Sequence, residues 1–263
     1  MSTLVASFNS VRTKLNAAAL RADRDPKSVR LVAVSKSVDT DKVVRAHAEC
    51  GQNLFGENRA DELVRKIETC TQLGADLNVG SGITSASDTA PATTTTSDAG
   101  IEFHFIGPLQ TNKVRKVVGR ASLIHSVDSE RLLRAIDARA KLLDERQGGG
   151  FSDFRQPVLI QVSISGEEAK QGIEPAALDA LLHLANEELN YIQVNGLMTM
   201  APFAPAKDVR WIFEDLRVLR DRSNRDGSSV SLTELSMGMT GDFEAAIEEG
   251  ATLVRVGTAL FAQ

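Results

Sequence analysis

Apolar residues in this chain alternate between two spacings. Leu4, Phe8, Val11, Leu15 and Ala18 recur at helical intervals and predict an opening helix. The run 31–35, apolar through Val34, then predicts a first strand. A helix follows from the cap candidates Asp39 or Thr40, runs through Val43, Val44 and Ala48, and is ended by Gly51. The same succession repeats along the chain. Strand 53–56 is followed by helix 60–69, and strand 103–107 by a helix near 111–118. Strand 122–126 leads to a helix that starts at Asp128 or Ser129 and carries Leu132, Leu133, Ile136, Ala140 and Leu143. Strand 158–162 precedes helix 176–185, strand 194–200 precedes helix 209–222, and strand 232–237 precedes the short helix 243–249. The eighth strand is 253–256.

These strands are mostly short apolar runs, as expected where helices cover both faces of a sheet. Alternating strands and helices imply parallel pairing with right-handed crossovers. Eight such units predict one closed (β/α)8 TIM-type barrel over 1–263. No helix is expected after the eighth strand, so the N-terminal helix takes that place. A doubly wound open sheet is the alternative, disfavoured because no glycine-rich dinucleotide turn follows the first strand. Two stretches interrupt the rhythm. Residues 74–100 are rich in Ser, Thr, Gly, Ala and Asp, have few apolar residues, and are expected to be a disordered insertion. Residues 147–156 begin near three consecutive glycines and are expected to be a flexible loop.

Composition narrows the function class. The hydrophobic fraction is 42%, the charged fraction 25% and the net charge -5, which fits a globular chain without a nucleic-acid footprint. The basic run Lys113-Val114-Arg115-Lys116 with Arg120 reads as a solvated helix face. Cys50 and Cys70 have no metal-ligand or CxxC spacing and are expected as free thiols in a reducing cytoplasm. No signal peptide and no membrane-spanning run is evident. A cytoplasmic monomer is expected.

The candidate chemistry sits at strand ends, where barrels of this kind build their sites. Lys36 ends the run Leu31-Val32-Ala33-Val34-Ser35-Lys36. Ser236-Met237-Gly238-Met239-Thr240-Gly241-Asp242 passes from the seventh strand into a helix, whose first N–H groups suit a phosphate. Read alone, it is equally a turn with Thr240 or Asp242 as N-cap. Arg255-Val256-Gly257-Thr258 leaves the eighth strand and adds backbone N–H groups and a hydroxyl. A lysine beside a phosphate site is what covalent binding of pyridoxal 5'-phosphate (PLP), as a Schiff base, requires. Arg255 is then the expected partner of the pyridine nitrogen, with a salt bridge to a neighbouring carboxylate as the alternative. His104 and His125 lie in strands and read as structural or pocket-lining. His47 and His183 read as surface or packing residues.

Ordered words along nearly the whole chain carry a resemblance. They are Leu31–Lys36, Phe55-Gly56-Glu57-Asn58, His104-Phe105-Ile106-Gly107-Pro108-Leu109-Gln110-Thr111-Asn112-Lys113, Gly196-Leu197-Met198-Thr199-Met200-Ala201-Pro202, Ser236-Met237-Gly238-Met239 and Val254-Arg255-Val256-Gly257-Thr258. Together they resemble the pyridoxal phosphate homeostasis proteins, relatives of the alanine racemase N-terminal barrel that lack its C-terminal β domain. The resemblance implies that Lys36 forms an aldimine with PLP. It implies that Ser236, Gly257 and Thr258, with N–H groups near Gly238 and Met239, hold the phosphate. It places Arg255 at the pyridine nitrogen and Asn58 near the cofactor. Arg59 stands where many members have tyrosine, and Thr240 where many have serine. Members bind PLP, influence vitamin B6 balance and are regarded as lacking demonstrated catalysis. The expected function is therefore holding PLP and supplying it to PLP-dependent apo-enzymes. A small amino-acid racemase using Lys36 and a phosphate-binding barrel acting on a sugar phosphate are the alternatives. Racemisation needs a second base, and the single tyrosine, Tyr191, lies at the wrong end of the sixth strand.

Overall fold

Strands that are apolar on both faces need cover on both, from helices on either side of an open sheet or from an inside and an outside when the sheet closes. The chain achieves this by closing eight parallel strands into a barrel in sequence order. They are β1 (Arg30–Val34), β2 (Leu54–Glu57), β3 (Glu102–Phe105), β4 (Leu123–Val127), β5 (Gln156–Gln161), β6 (Ile192–Met198), β7 (Glu234–Ser236) and β8 (Leu253–Val256). The computed structural model describes residues 2–78, 100–146, 154–166, 171–225 and 231–261. Closure is made by β1 and β8, which pair Leu31 with Val254, Val32 with Arg255 and Ala33 with Val256.

The helices surround the barrel: α1 (Thr3–Arg21), α2 (Thr40–Cys50), α3 (Ala60–Gln72), α4 (Val114–Val117), α5 (Glu130–Arg146), α6 (Leu178–Glu188), α7 (Ala206–Arg225), α8 (Phe243–Glu248) and α9 (Thr258–Phe261). Val32, Leu54, Leu123, Leu159, Met198 and Leu253 form an apolar cluster of their own inside the barrel. Their chain neighbours Leu31, Ala33, Ile124, Val158, Ile160, Leu197 and Val254 belong to the larger cluster between strands and helices. The period-2 alternation of a strand is therefore present, although both sets are apolar. No helix among the described residues is long and apolar enough to cross a membrane. Cys50 and Cys70 are buried and unpaired.

The expected strands and helices all occur, with shifted ends. β7 is three residues long rather than 232–237, and β3 stops at Phe105 before Gly107. The helix expected near 111–118 is a 3-10 turn, Thr111–Lys113, running into the four-residue α4. Gly51 ends α2 in the left-handed conformation, φ 60°, as a C-terminal glycine does.

Two expectations need correction. A helix does follow the eighth strand: α9 is short but buries Leu260 and Phe261. The opening helix still fills the gap, since α1 packs against α2, α8 and α9. Phe8 meets Phe261 edge-on at 5.6 Å, and Arg21 pairs with Glu244 and Glu248 of α8. The segment 74–100 is also not wholly apart from the fold. Leu77 packs on the core and bridges to Ile101, Asn78 N–H donates to Ile101 O at 2.9 Å, and Ile101 N–H donates to Asp76 O at 2.7 Å. Residues 79–99 of the expected insertion lie outside the described residues, as do 147–153 of the expected glycine loop. Phe154 is buried and Gln156 already belongs to β5, so that loop ends earlier than expected.

Phe8 has no solvent exposure and joins α1 to the end of the chain. Phe8→Ala is expected to lower the unfolding free energy by about 3–5 kcal/mol, the usual cost of emptying a buried aromatic site. Urea denaturation measures it, and a loss below about 1 kcal/mol would show that α1 is not part of the cooperative core.

Candidate ligand-binding site

Closure by β1 and β8 carries Lys36 and Thr258 to the same end of the barrel. The two strands run in parallel and end within one residue of register, at Val34 and Val256. A cavity of about 450 Å³ opens there, within the range of small-molecule sites. Lys36, Asn58, Met239, Arg255, Gly257 and Thr258 all line it. So do Ser37, Gly107, Gln161, Gln171, Met200, Thr240 and Phe261. Ser236 and Gly238 do not. Gly238 lies where the turn meets α8: its φ is 90°, and a Cβ there would sit 2.6 Å from the Ala246 Cβ. Gly107 has a similar constraint, because a Cβ would lie 2.2 Å from the Asn58 carbonyl oxygen. That close approach places Asn58 at the cavity wall.

The donor set suits an anion. The backbone N–H groups of Thr240, Gly257 and Thr258 make no backbone hydrogen bond among the described residues. Thr240 and Thr258 line the same cavity and each carries a hydroxyl. The Met239 N–H is engaged differently, donating to Asp242 Oδ1 at 2.5 Å. Burial pushes the Asp242 carboxyl above its usual range, while that N–H and the charge of Arg255 oppose the shift.

Arg255 is almost fully buried, and burial lowers its guanidinium to about 10, so it remains a cation at neutral pH. It donates from Nη1 to Ser236 Oγ at 2.6 Å and from Nη2 to the Thr199 carbonyl at 2.9 Å. It has no direct salt bridge among the described residues; Asp242 acts on it only through its charge. The Ser236 hydroxyl, expected at a phosphate, is instead part of a chain of contacts through the barrel interior. Ser236 Oγ lies 2.8 Å from His125 Nδ1, and His125 Nε2 lies 2.8 Å from His104 Nδ1. His104 Nε2 lies 3.1 Å from Glu102 Oε1. Burial alone would raise the Glu102 carboxyl, but bonds from His104 and Ser122 hold it down at about 2.

With both imidazoles neutral, the form that burial favours, the ends of this chain fix every proton within it. Ionised Glu102 only accepts, so His104 carries its proton on Nε2 and presents a bare Nδ1. His125 must then donate from Nε2 and accept at Nδ1. Ser236 donates its hydroxyl there and accepts from Arg255, which only donates. Burial lowers both imidazoles, His125 well below its ordinary value, with the nearby positive groups adding to the effect. The histidines are structural, one of the two expected readings, and they orient Arg255 through Ser236.

Sequence reasoning missed Gln161, Gln171 and the role of the histidines. Gln161 stands two residues after Leu159 and Arg255 two after Leu253, a spacing that marks them as inward only once the structure shows both leucines inside the barrel. Arg59 lines a neighbouring cavity of about 620 Å³ that shares Asn58, Pro108 and Gln171 with the first. Of the notable strand-end residues, Ser126 is buried and donates to the Gly107 carbonyl, and Met198 packs inside the barrel.

Fold and site together define a single-barrel member of the family described as alanine racemase, N-terminal domain, which matches residues 9–263. Within that class, the chain belongs to the pyridoxal phosphate homeostasis proteins. It is 39% identical to the pyridoxal phosphate homeostasis protein of Aquifex aeolicus over 258 residues, covering 97% of this chain and 96% of the relative. It is 34% identical to that of Escherichia coli K12 over 262 residues, covering 99% and 97%. The solved structure of PipY from Synechococcus elongatus PCC7942, with PLP bound, is 32% identical, has a TM-score of 0.73, and aligns over 96% of this chain and all of that one.

Nitrogen NMR is expected to show His104 and His125 neutral at pH 7, both as the Nε2–H form. Their depressed affinity for protons stabilises the fold fully above about pH 6.5 and less as pH falls, because only the unfolded chain then takes the protons. His125→Gln should make the stability–pH slope below pH 6 shallower by up to about 1.4 kcal/mol per pH unit. An unchanged slope with a folded variant would mean that His125 already titrates normally.

Proposed function

We propose that this protein binds PLP covalently through Lys36 at the C-terminal mouth of the barrel, and that it holds and releases the cofactor for intracellular PLP balance, including supply to PLP-dependent apo-enzymes. The observation that carries this reading is one cavity lined by Lys36 and by Gly257 and Thr258, whose N–H groups make no backbone hydrogen bond among the described residues. Bound PLP supplies an aldehyde carbon open to a primary amine and a phosphate open to several donors. Lys36 provides the amine. Thr240, Gly257 and Thr258 provide N–H and hydroxyl donors without giving up an existing backbone bond. Asn58 borders the cavity just past the end of β2. Arg255, held by Ser236 and Thr199, offers the pyridine nitrogen a fixed cation and no readily transferable proton.

The same lining supports a carrier over a racemase. Its described residues include no His, Asp, Glu, Tyr or Cys, so Lys36 has no partner to deliver a proton from the opposite side. Tyr191 immediately precedes β6, at the far mouth, and its N–H donates to Asp137.

Borohydride reduction of the PLP-loaded protein followed by peptide mapping is expected to place the pyridoxyl group on Lys36. A label mainly on Lys42 or Lys113 would reject the assignment. The loaded protein should racemise or transaminate common amino acids no faster than free PLP at equal concentration, as followed by chiral chromatography. One missing acid–base group forfeits roughly two to four orders of magnitude. Turnover well above that control and lost in Lys36→Ala would make the protein an enzyme.

A further inference from the structure

A pair of charged residues lies behind Lys36, outside the cavity. Glu57 ends β2 and Lys66 lies on α3, and neither side chain has any solvent exposure. Lys66 Nζ donates to Glu57 Oε1 at 2.5 Å and to the Ser35 carbonyl oxygen at 2.5 Å. Ser35 Oγ donates to the same Glu57 oxygen at 2.6 Å. The other carboxylate oxygen, Glu57 Oε2, has no hydrogen-bond partner among the described residues. Taking two charges out of water is costly unless their remaining polar atoms are satisfied, and here one is not. An apolar pair of the same size would satisfy packing better. It would leave the Ser35 hydroxyl without its acceptor and the Ser35 carbonyl with a single donor.

That carbonyl is the hinge of the segment that presents Lys36. It also accepts the Val38 N–H at 2.9 Å, closing a turn over Ser35, Lys36, Ser37 and Val38. Ser37 in this turn has φ 67°, a left-handed conformation that costs a residue with a Cβ and usually falls to Gly or Asn. Such a conformation persists where its surroundings over-determine it. Lys66 and Glu57 are those surroundings. One grips the turn's carbonyl, the other its first side chain, and β2 anchors both through Ser35 N–H to the Gly56 carbonyl at 3.0 Å.

We propose that Lys66 and Glu57 are positioning residues for Lys36: the buried ion pair fixes the Ser35–Val38 turn and thereby aims the Lys36 amine into the cavity. The inference rests on PLP joining at Lys36, and it assigns work to a lysine that never meets the cofactor. It also explains why a charge pair with an unsatisfied oxygen sits where an apolar pair would fit.

Two variants of the full chain test it. Glu57→Gln/Lys66→Met removes both charges at nearly constant volume. Glu57→Gln alone leaves Lys66 able to donate to Ser35. Two readouts are taken: hydrogen exchange at the Val38 amide without cofactor, and the PLP concentration that half-labels Lys36 under borohydride. In the double variant, with its circular dichroism and the protection of its β5 amides unchanged, both are expected to rise about tenfold, the scale of losing a charged hydrogen bond. Glu57→Gln should stay within about threefold of the parent in both, because the bond from Lys66 remains. A folded double variant with both readouts unchanged overturns the proposal, as does a Glu57→Gln protein that loses as much as the double variant. If the double variant does not accumulate, Ser35→Ala cuts the tie between Glu57 and the turn and leaves the bond from Lys66 to the residue 35 carbonyl in place. It should raise both readouts about threefold, and no change there also overturns the proposal. A parent protein that takes no label at Lys36 refutes the PLP reading, whereas Val38 exchange still reports on the turn.

Discussion

Everything at the candidate site depends on one pairing, that of the first strand with the last. Val32 meets Arg255 and Ala33 meets Val256 across the seam of the barrel. Lys36 and Thr258 are separated by most of the chain, and neither has any local reason to be near the other. Parallel strands need long crossovers, so the loop entropy of closing this seam is met only when the whole set of βα units is in place. The pocket therefore exists only in the complete barrel. The packing of α1 against α2, α8 and α9 covers the seam from outside, which ties the opening helix to the same event.

The barrel interior is layered. Near the N-terminal mouth, Leu54, Leu123, Leu159 and Leu253 fill it. Two residues further along their strands stand His125, Gln161 and Arg255, with Ser236 from β7. Inward polar groups this deep must be paired, and here the pairing runs in one direction, from the guanidinium to the carboxylate of Glu102. The consequence is an arginine that is charged, buried and already bonded to Ser236 and Thr199 without a ligand. A site built in this way does not have to organise its cation on binding.

Around this fixed centre many of the residues that touch the cavity lie just past strand ends. Gly107 lets the β3 exit pass against Asn58, and Gly238 lets the β7 exit fold against α8. The Asp242 carboxylate occupies the Met239 N–H, so the amides left for a ligand are those at Thr240, Gly257 and Thr258. Ser37 holds a left-handed backbone next to Lys36. A left-handed backbone and an unpaired buried carboxylate oxygen lie on the Lys36 side, while the Arg255 guanidinium is held by Ser236 and Thr199. This asymmetry fits a fixed electrostatic wall facing an amine whose aim has to be enforced.

The order and kind of the elements follow from the sequence alone, because each strand or helix announces itself over a few neighbouring residues and the alternation of the two admits few topologies. The strand-end lysine, Arg255 and the Gly257–Thr258 exit were legible for the same reason: their meaning depends on position along a strand. The short α9 and the packed ends of the 74–100 segment were not, since Leu260, Phe261 and Leu77 gain their partners only from distant elements. Which strand residues face inward was equally hidden. With both faces apolar, the period of two leaves no contrast, so His104, His125 and Ser236 gave no sign of contact. Lys66 lies on the buried stripe of α3 with Leu63 and Cys70, yet its sequence neighbourhood gives no hint that the Glu57 carboxylate waits there. Local chemistry writes the elements into the chain. Register, closure and the burial of charge are properties of surfaces brought together from far apart, and only the tertiary structure decides them.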